Sequence, residues 1–378
     1  MTGPALAAAW RHGPGKEVRA SGPSRPAARA SGVRPPALSP ALARTLTLAL
    51  APRRWEPGAA HNDHRAYPSP RAAHLADVTL RLDRSWPLDP VRLGPGDPAG
   101  ATAGELDVTV APDRLPEEYG PLREALALLE AGHLLGALAE AAGACGLTAT
   151  TTVHTGRTVA TMALAPGNGP SWSRGRVAAE RSSGRDPRGL SADPRPLPAA
   201  ILDRLVAAGG TVPVGSPATG PAATGPGPLR AGALRHRLAV HGVTGLPDGL
   251  YGPDRRLIAA GPATQRLQAA SRVGPGELDV AGMNMVWALS ADVAAAVGRD
   301  GPTAYPRSLV AAGAAAQHVC SAAAGLGLFC RPVRAVDEPV AEAALGLDPG
   351  QDLLYLLLLG RPRYQGPVYD LTDPGGPA

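Results

Sequence analysis

Gly120–Leu147 reads GPLREALALLEAGHLLGALAEAAGACGL, and 181 residues later Gly301–Leu328 reads GPTAYPRSLVAAGAAAQHVCSAAAGLGL. Nine of the 28 aligned positions are identical without a gap, among them Gly120/Gly301, Pro121/Pro302, Gly132/Gly313 and Gly146/Gly327. A repeat at so long a spacing is a duplicated domain, because solenoid units recur every 20–50 residues or so. Each copy opens on Gly-Pro, where proline suits a first helical turn, and closes on Gly-Leu. Small and apolar residues on every face in between predict a buried helix packed closely on a neighbour.

Outward from the helix, the order of parts also repeats. In the first half, Ser39-Pro40 starts a helix with a core face at Leu42, Leu46 and Leu48 to Leu50. Alternation from Ala76 through Leu82 predicts a half-buried strand, and Glu105–Val110 a second one leading into the repeated helix. Thr148–Leu164 alternates again and predicts the strand that closes this half. The second half repeats the layout, with a helix over Pro198–Ala208, strands at about Leu234–Val243 and Met283–Ser290, the second helix copy from Pro302, and a last strand over Asp352–Gly360. The division implied is a flexible lead-in over 1–27, a first half over 28–165, a Gly/Pro/Ser linker over 166–177, a second half over 178–363 and a tail over 364–378.

Composition bounds the function. A chain of 378 residues, 44% hydrophobic, can bury two cores. The formal charge is +5, but 36 of the 37 basic residues are arginine, and seven Tyr, five Trp and one Phe leave few stacking platforms. With no helix-turn-helix, zinc-finger or RNP-like pattern, nucleic acid is not the expected partner. Arginine's planar fork suits the phosphate of a small cofactor instead. Cys145, Cys320 and Cys330 lack Cys-x-x-Cys spacing and read as buried thiols of a reducing compartment. His61, His64 and His74 lie close in sequence but have no carboxylate or cysteine completing a metal set, so they read as solvent-exposed loop histidines. ALAAAW near the start is too short for a signal-peptide core, and the aliphatic run Leu353–Leu359 is too short to span a bilayer; a soluble, cytoplasmic protein is expected.

Four stretches resemble one family. LLEAGHLLGALAEAAGACGL at Leu128–Leu147 is similar to an EAGHxxQN helix ending in Gly-Leu. RAYPSPRAAHLAD at Arg65–Asp77 is similar to an R..PS(A/G)GA..P.E stretch that leads into a strand. RSSGR at Arg181–Arg185 is similar to an R-x-S-x-R flavin-phosphate motif. AGALRHRLAVHGVTGLPDGLYGPD at Ala231–Asp254, with LGLDPGQDLLYLLLLGRP at Leu345–Pro362, is similar to SAGA....YV.V.GV.GL.PGLY.YD and the C-terminal strand that follows it. Together they resemble the SagB/McbC-type azoline dehydrogenases of the FMN-dependent nitroreductase superfamily. That resemblance implies an α+β fold, with helices around a mixed sheet and two nitroreductase-like halves forming an intrachain pseudo-dimer with flavin sites at its interface. It further implies FMN as cofactor, a modified precursor peptide as substrate, a cyclodehydratase complex as partner, and oxidation of thiazoline or oxazoline rings to thiazole or oxazole.

Carried over position by position, Arg181, Ser183 and Arg185 would hold the flavin phosphate, with Arg361 after the last strand on the same side. Arg65, Pro68 and Ser69 would approach that flavin from the first half. The reciprocal site would use Arg29, Ser31 and Arg34 with Ala231, Gly232 and Ala233. The departures are as informative. Pro70-Arg71 stands where the family has small residues, and the second helix copy keeps Gln317 but replaces the remaining signature with alanines, so one intact site at most is implied. The family's catalytic Lys-Tyr reads Glu118-Tyr119, and Lys16 is the only lysine. Glu118, with its pKa raised by burial, or His133 would then be the base beside Tyr119. Two other readings stay open: Tyr119 and His133 as structural groups in a non-catalytic scaffold of the same complex, and a general NAD(P)H-dependent nitro- or quinone reductase.

Overall fold

The computed structural model describes residues 37–55, 64–154, 156–167, 181–184, 189–210, 234–363 and 369–371. In the first half, α1 (Pro40–Leu50) starts where expected: Ser39 Oγ accepts from the Leu42 amide, and proline occupies the first turn. There follow β1 (Arg54–Trp55), β2 (Ala76–Arg81), β3 (Ser85–Pro87), β4 (Gly104–Val110), α2 (Leu122–Ala144), β5 (Leu147–Val153) and β6 (Thr158–Pro166). Five of these strands form a sheet in the order β3-β2-β4-β6-β5. The single strand expected over Thr148–Leu164 is a hairpin, because the chain reverses through Gly156, whose φ of 127° is open to glycine.

The second half runs β7 (Leu197–Pro198), α3 (Ala199–Gly210), β8 (Arg235–Val240), β9 (Val243–Thr244), β10 (Gly249–Tyr251), β11 (Leu257–Ala260), α4 (Ala263–Ala270), β12 (Met285–Ala291), α5 (Val293–Asp300), α6 (Ala304–Ala324), β13 (Phe329–Val333), α7 (Glu338–Ala344), β14 (Asp352–Gly360) and β15 (Tyr369–Asp370). Its sheet is ordered β11-β10-β8-β12-β14-β13. Apart from the added edge strand β11, this is the order of the first sheet. The register repeats too. Leu80 pairs with Leu106 as Leu238 pairs with Trp287, and Ala160 pairs with Val108 as Tyr355 pairs with Leu289. Both sheets shift register at the same place, after Val108 and after Leu289. The mixed sheet implied by the resemblance is not what forms: every neighbouring pair in both sheets is antiparallel, and the parallel pair β7/β9 stands apart. Nor are residues 364–378 wholly a tail, since β15 pairs with β1 of the first half.

The two copies of the repeated helix pack against each other at the molecular centre. A Cβ on Gly132 would strike the Val310 carbonyl oxygen, and one on Gly313 would strike that of Leu129 and lie 3.0 Å from the Gly132 Cα. Only glycine at both positions lets the backbones come this close. Further along, Ser321 Oγ donates to Glu140 Oε2 at 2.6 Å, and His318 Nδ1 lies 2.8 Å from Glu140 Oε1. Glu140 and Ser321 are the same position of the repeat, so this bond marks the pseudo-two-fold axis.

The halves differ in what covers their sheets. β2 alternates buried and half-buried residues, whereas all seven residues of β12 are buried. The second sheet has an extra layer, because Ala263 and Leu267 of α4 and Ala341 of α7 pack with Val286, Leu356 and Leu358 on its outer face. Cys320 and Cys330 are buried thiols with sulfurs 3.3 Å apart, while Cys145, at the C-cap of α2, is half-exposed rather than buried.

Candidate functional site

A cleft of about 450 Å³ opens between the halves. The first half contributes His64, the loop Tyr67–Ala72, Tyr119, and Leu122, Leu126 and Glu130 of α2; the second contributes Arg181–Gly184, the end of β13 from Arg331 to Ala335, Tyr355, and Val273, Glu277 and Leu278. The last three follow α4, and Arg334 and Ala335 lead towards α7. The second half's extra segments therefore wall this cleft.

Segment 181–184 lies along β13: the Cys330 amide donates to Ser182 O at 2.9 Å, and Arg331 Nε donates to Ser183 O at 2.8 Å. Gly184, at φ 81°, turns the chain there. Arg181, 4% exposed, donates to Arg65 O from Nε and Nη2 at 3.4 and 3.2 Å, and from Nη1 to Ser183 Oγ at 3.1 Å. Arg54 Nη1 reaches Arg181 O at 2.6 Å. Arg65 is itself buried, with Nη1 3.4 Å from the Tyr67 hydroxyl. Expected site residues from both halves thus meet across the cleft.

Ser69 is the hub of the first-half wall. Its hydroxyl donates to Glu130 Oε2 at 2.7 Å and accepts from the His74 amide at 2.8 Å, while Ala76 N donates to Glu130 Oε1 at 3.3 Å. The loop between carries three left-handed non-glycine residues, Arg71, Ala72 and His74, at φ 52°, 51° and 47°. That conformation is costly for side-chain-bearing residues, and these bonds hold it. Arg71 is exposed and lies over the Tyr119 ring at 5.5 Å. Tyr119 ends the short turn Glu117–Tyr119 before α2.

Burial dominates the electrostatics. It raises Glu130 to about 7 despite the opposing bonds from Ser69 and the backbone and the nearby Arg65 charge. It lowers His133 to about 3, so the imidazole is neutral, with Nδ1 3.2 Å from Gln317 Oε1 and Nε2 buried without a hydrogen-bond partner among the described residues. Tyr355 is pushed well above the ordinary phenol value, chiefly by burial, and stays a neutral hydroxyl. Burial also lowers Arg331.

The expected residues separate by place. Arg181, Ser183, Pro68, Ser69 and Tyr119 line the cleft, with Arg65 directly behind. His133 sits deeper on α2, beside the Tyr355 ring at a centroid distance of 5.6 Å. Glu118 is exposed and is not part of the lining. Arg361 is not either; its amide donates to Asn284 Oδ1 at 3.2 Å, and its carbonyl accepts from Asp193. Arg185, Gly232 and Ala233, with Arg29, Ser31, Arg34, Ala231 and His61, lie outside the described residues. Sequence reading missed Arg331 and Tyr355 in the lining. Tyr355 had a visible signal as the one polar interruption of DLLYLLLLG; Arg331 had none.

The chain superimposes on a structure from Anabaena variabilis described as a nitroreductase, with a TM-score of 0.67 at 16% identity, over 85% of this chain and 88% of that one. The fold is a nitroreductase fold. Residues 185–361 match the nitroreductase family model. Partial similarities include a Desulfovibrio desulfuricans structure described as a nitroreductase in complex with FMN (TM-score 0.33, 19% identity, 51% of this chain and 87% of that one). Another is the E. coli microcin synthetase McbBCD complex (TM-score 0.36, 16% identity, 47% and 70%). No curated protein matches the chain.

Four polar groups of the cleft are not repeated at the pseudo-symmetric positions of the other half. At the repeat spacing Glu130 corresponds to Ala311, His133 to Ala314 and Arg331 to Thr150, and in strand register Tyr355 corresponds to Ala160.

Proposed function

We propose that this chain is an FMN-dependent oxidoreductase with one flavin site, in the cleft between its halves, and that it dehydrogenates azoline rings of a ribosomally made peptide. The observation that carries the flavin reading is the cationic wall. Arg331 is half-buried in the cleft wall, where burial lowers its pKa; among the described residues it donates to the carbonyls of Ser183 and Gly184 and has no carboxylate partner. A partly desolvated cation so placed is stabilised when an anion joins it. With Arg181 and the Ser183 hydroxyl beside it, the donor set suits a phosphate monoester, and the cleft volume falls within the usual range for small-molecule sites. Arg181, Ser183 and Arg331 would hold the phosphate, while Arg65, Pro68 and Ser69 would approach the flavin from the first half. Bound there, the flavin supplies two-electron chemistry. The protein's part is to exclude water with Leu122, Leu126 and Pro332 and to place donors around the ligand.

The family match over residues 185–361 supports the oxidoreductase class. The azoline step, the precursor-peptide substrate and a cyclodehydratase partner rest on the motif resemblance alone. A second reading, a non-catalytic partner in the same complex, is favoured by one observation: Glu118, standing where the lysine belongs, is exposed and away from the cleft.

The test is the visible spectrum of the purified chain, chromatography of what heat releases, and mass analysis of a thiazoline-containing peptide after incubation with the flavin-loaded protein. Loss of two hydrogens from the peptide establishes the reaction. A chain that stays colourless in excess FMN decides for the scaffold, and rapid flavin reduction by NAD(P)H with no change in the peptide decides for a general reductase.

A further inference from the structure

Resting on the flavoprotein reading, we propose that Glu130 is the proton reservoir of the cleft and Ser69 the relay that connects it to the ligand. A two-electron dehydrogenation releases a hydride and a proton, and the proton needs an acceptor. Neither residue favoured by sequence serves: Glu118 and His133 are both outside the cleft lining, and burial leaves the His133 imidazole too weak a base. Of the carboxylates lining the cleft, Glu130 is 1% exposed, while Glu277 is solvated. Ser69 stands at the wall with its hydroxyl already donated to Glu130 Oε2, and it is fixed from behind by the His74 amide. A lone pair of that oxygen is left for a proton arriving from the cleft.

The step balances. In a dehydrogenation whose hydride a bound flavin would take up, the substrate's X–H bond would break and its proton would go to Ser69 Oγ. The proton of Ser69 moves to Glu130 Oε2, and the carboxylate becomes a carboxylic acid, later discharged to water. Run backwards, the same pair donates a proton.

The groups around the dyad come from every packed element. They are Arg65, Tyr67 and His74 on the loop, His133 on α2, Tyr355 on β14 and Arg181 at the second-half wall. Arg65 and the bonds from Ser69 and the backbone favour the carboxylate, while burial, the larger effect, favours the acid. Glu130 is consequently poised near neutrality, where a group both accepts and returns a proton readily. At Ala311 the other half has nothing equivalent.

The experiment compares the full-length wild type with Glu130→Gln and Ser69→Ala. Flavin content is measured for each, the Glu130 carboxyl is followed by carbon-13 NMR with and without FMN, and single-turnover rates are taken from pH 5 to 9. The relay predicts a carboxyl titrating near pH 7 that disappears in Glu130→Gln. It also predicts about a 100-fold slower rate per bound flavin in either variant, with the limb near pH 7 lost in Glu130→Gln. A role only in holding the loop would lower flavin content or melting temperature and leave the pH profile in place, which overturns the relay. So does a flavin-loaded wild type whose Glu130 titrates in the ordinary carboxylate range. A wild type that binds no flavin overturns the flavoprotein reading and the relay together.

Discussion

His133 and Glu130, one turn apart on α2, are both displaced by burial but respond to pH in opposite senses. His133 is held below its unfolded value, so its contribution is present above about pH 6.5 and is lost as pH falls towards about 3. Replacing it with Asn should flatten the fall in melting temperature between pH 7 and pH 4 relative to wild type, by the equivalent of a few kcal/mol. Glu130 is raised, so its contribution is full below about pH 4.5 and fades as pH rises through about 7. Glu130→Gln should therefore gain on wild type in thermal melts as pH rises from 5 to 8. Arg331 makes a third case. Because it faces the cleft with no carboxylate partner among the described residues and Arg361 does not line it, Arg331→Met should weaken FMN binding at least tenfold in an equilibrium titration, while Arg361→Met changes it little. Equal losses would move the phosphate site away from β13.

At the scale of elements, the crossing of α2 and α6 makes the strongest stability claim. Gly132→Ala or Gly313→Ala puts a methyl group into the opposing backbone, and each should cost about 3 kcal/mol in chemical denaturation. Because the two glycines meet each other, the double variant should cost clearly less than the two singles combined, since the first methyl has already forced the helices apart. This crossing was legible in the sequence, as an ungapped repeat with paired glycines and apolar residues all round. The hairpin β5–β6 was not, because alternation continues across Gly156 as if the strand were unbroken. Strands β10 and β11 and helices α4 and α7 were also missed; the longest is eight residues, too short for a period to stand out.

For the whole molecule, two matching sheets around a central helix pair would allow two equivalent clefts, and the proposed function uses one. Flavin titration should saturate at one FMN per chain, and a second equivalent site would contradict the replacement of Arg331, Tyr355, Glu130 and His133 by Thr150, Ala160, Ala311 and Ala314. By itself the sequence determined the duplication, the central helices and the order of parts, because these follow from local periodicity and from residue identities repeated at a fixed spacing. It also carried Arg181, Ser183, Pro68, Ser69 and Tyr119 towards one site, since they sit in short contiguous motifs. Only the tertiary structure decided which acids and cations face the cleft. Glu118 and Glu130 are the same residue type twelve positions apart, and what separates a solvated carboxylate from a buried one near neutrality is the packing of a loop, a helix and a strand that meet only in the folded chain.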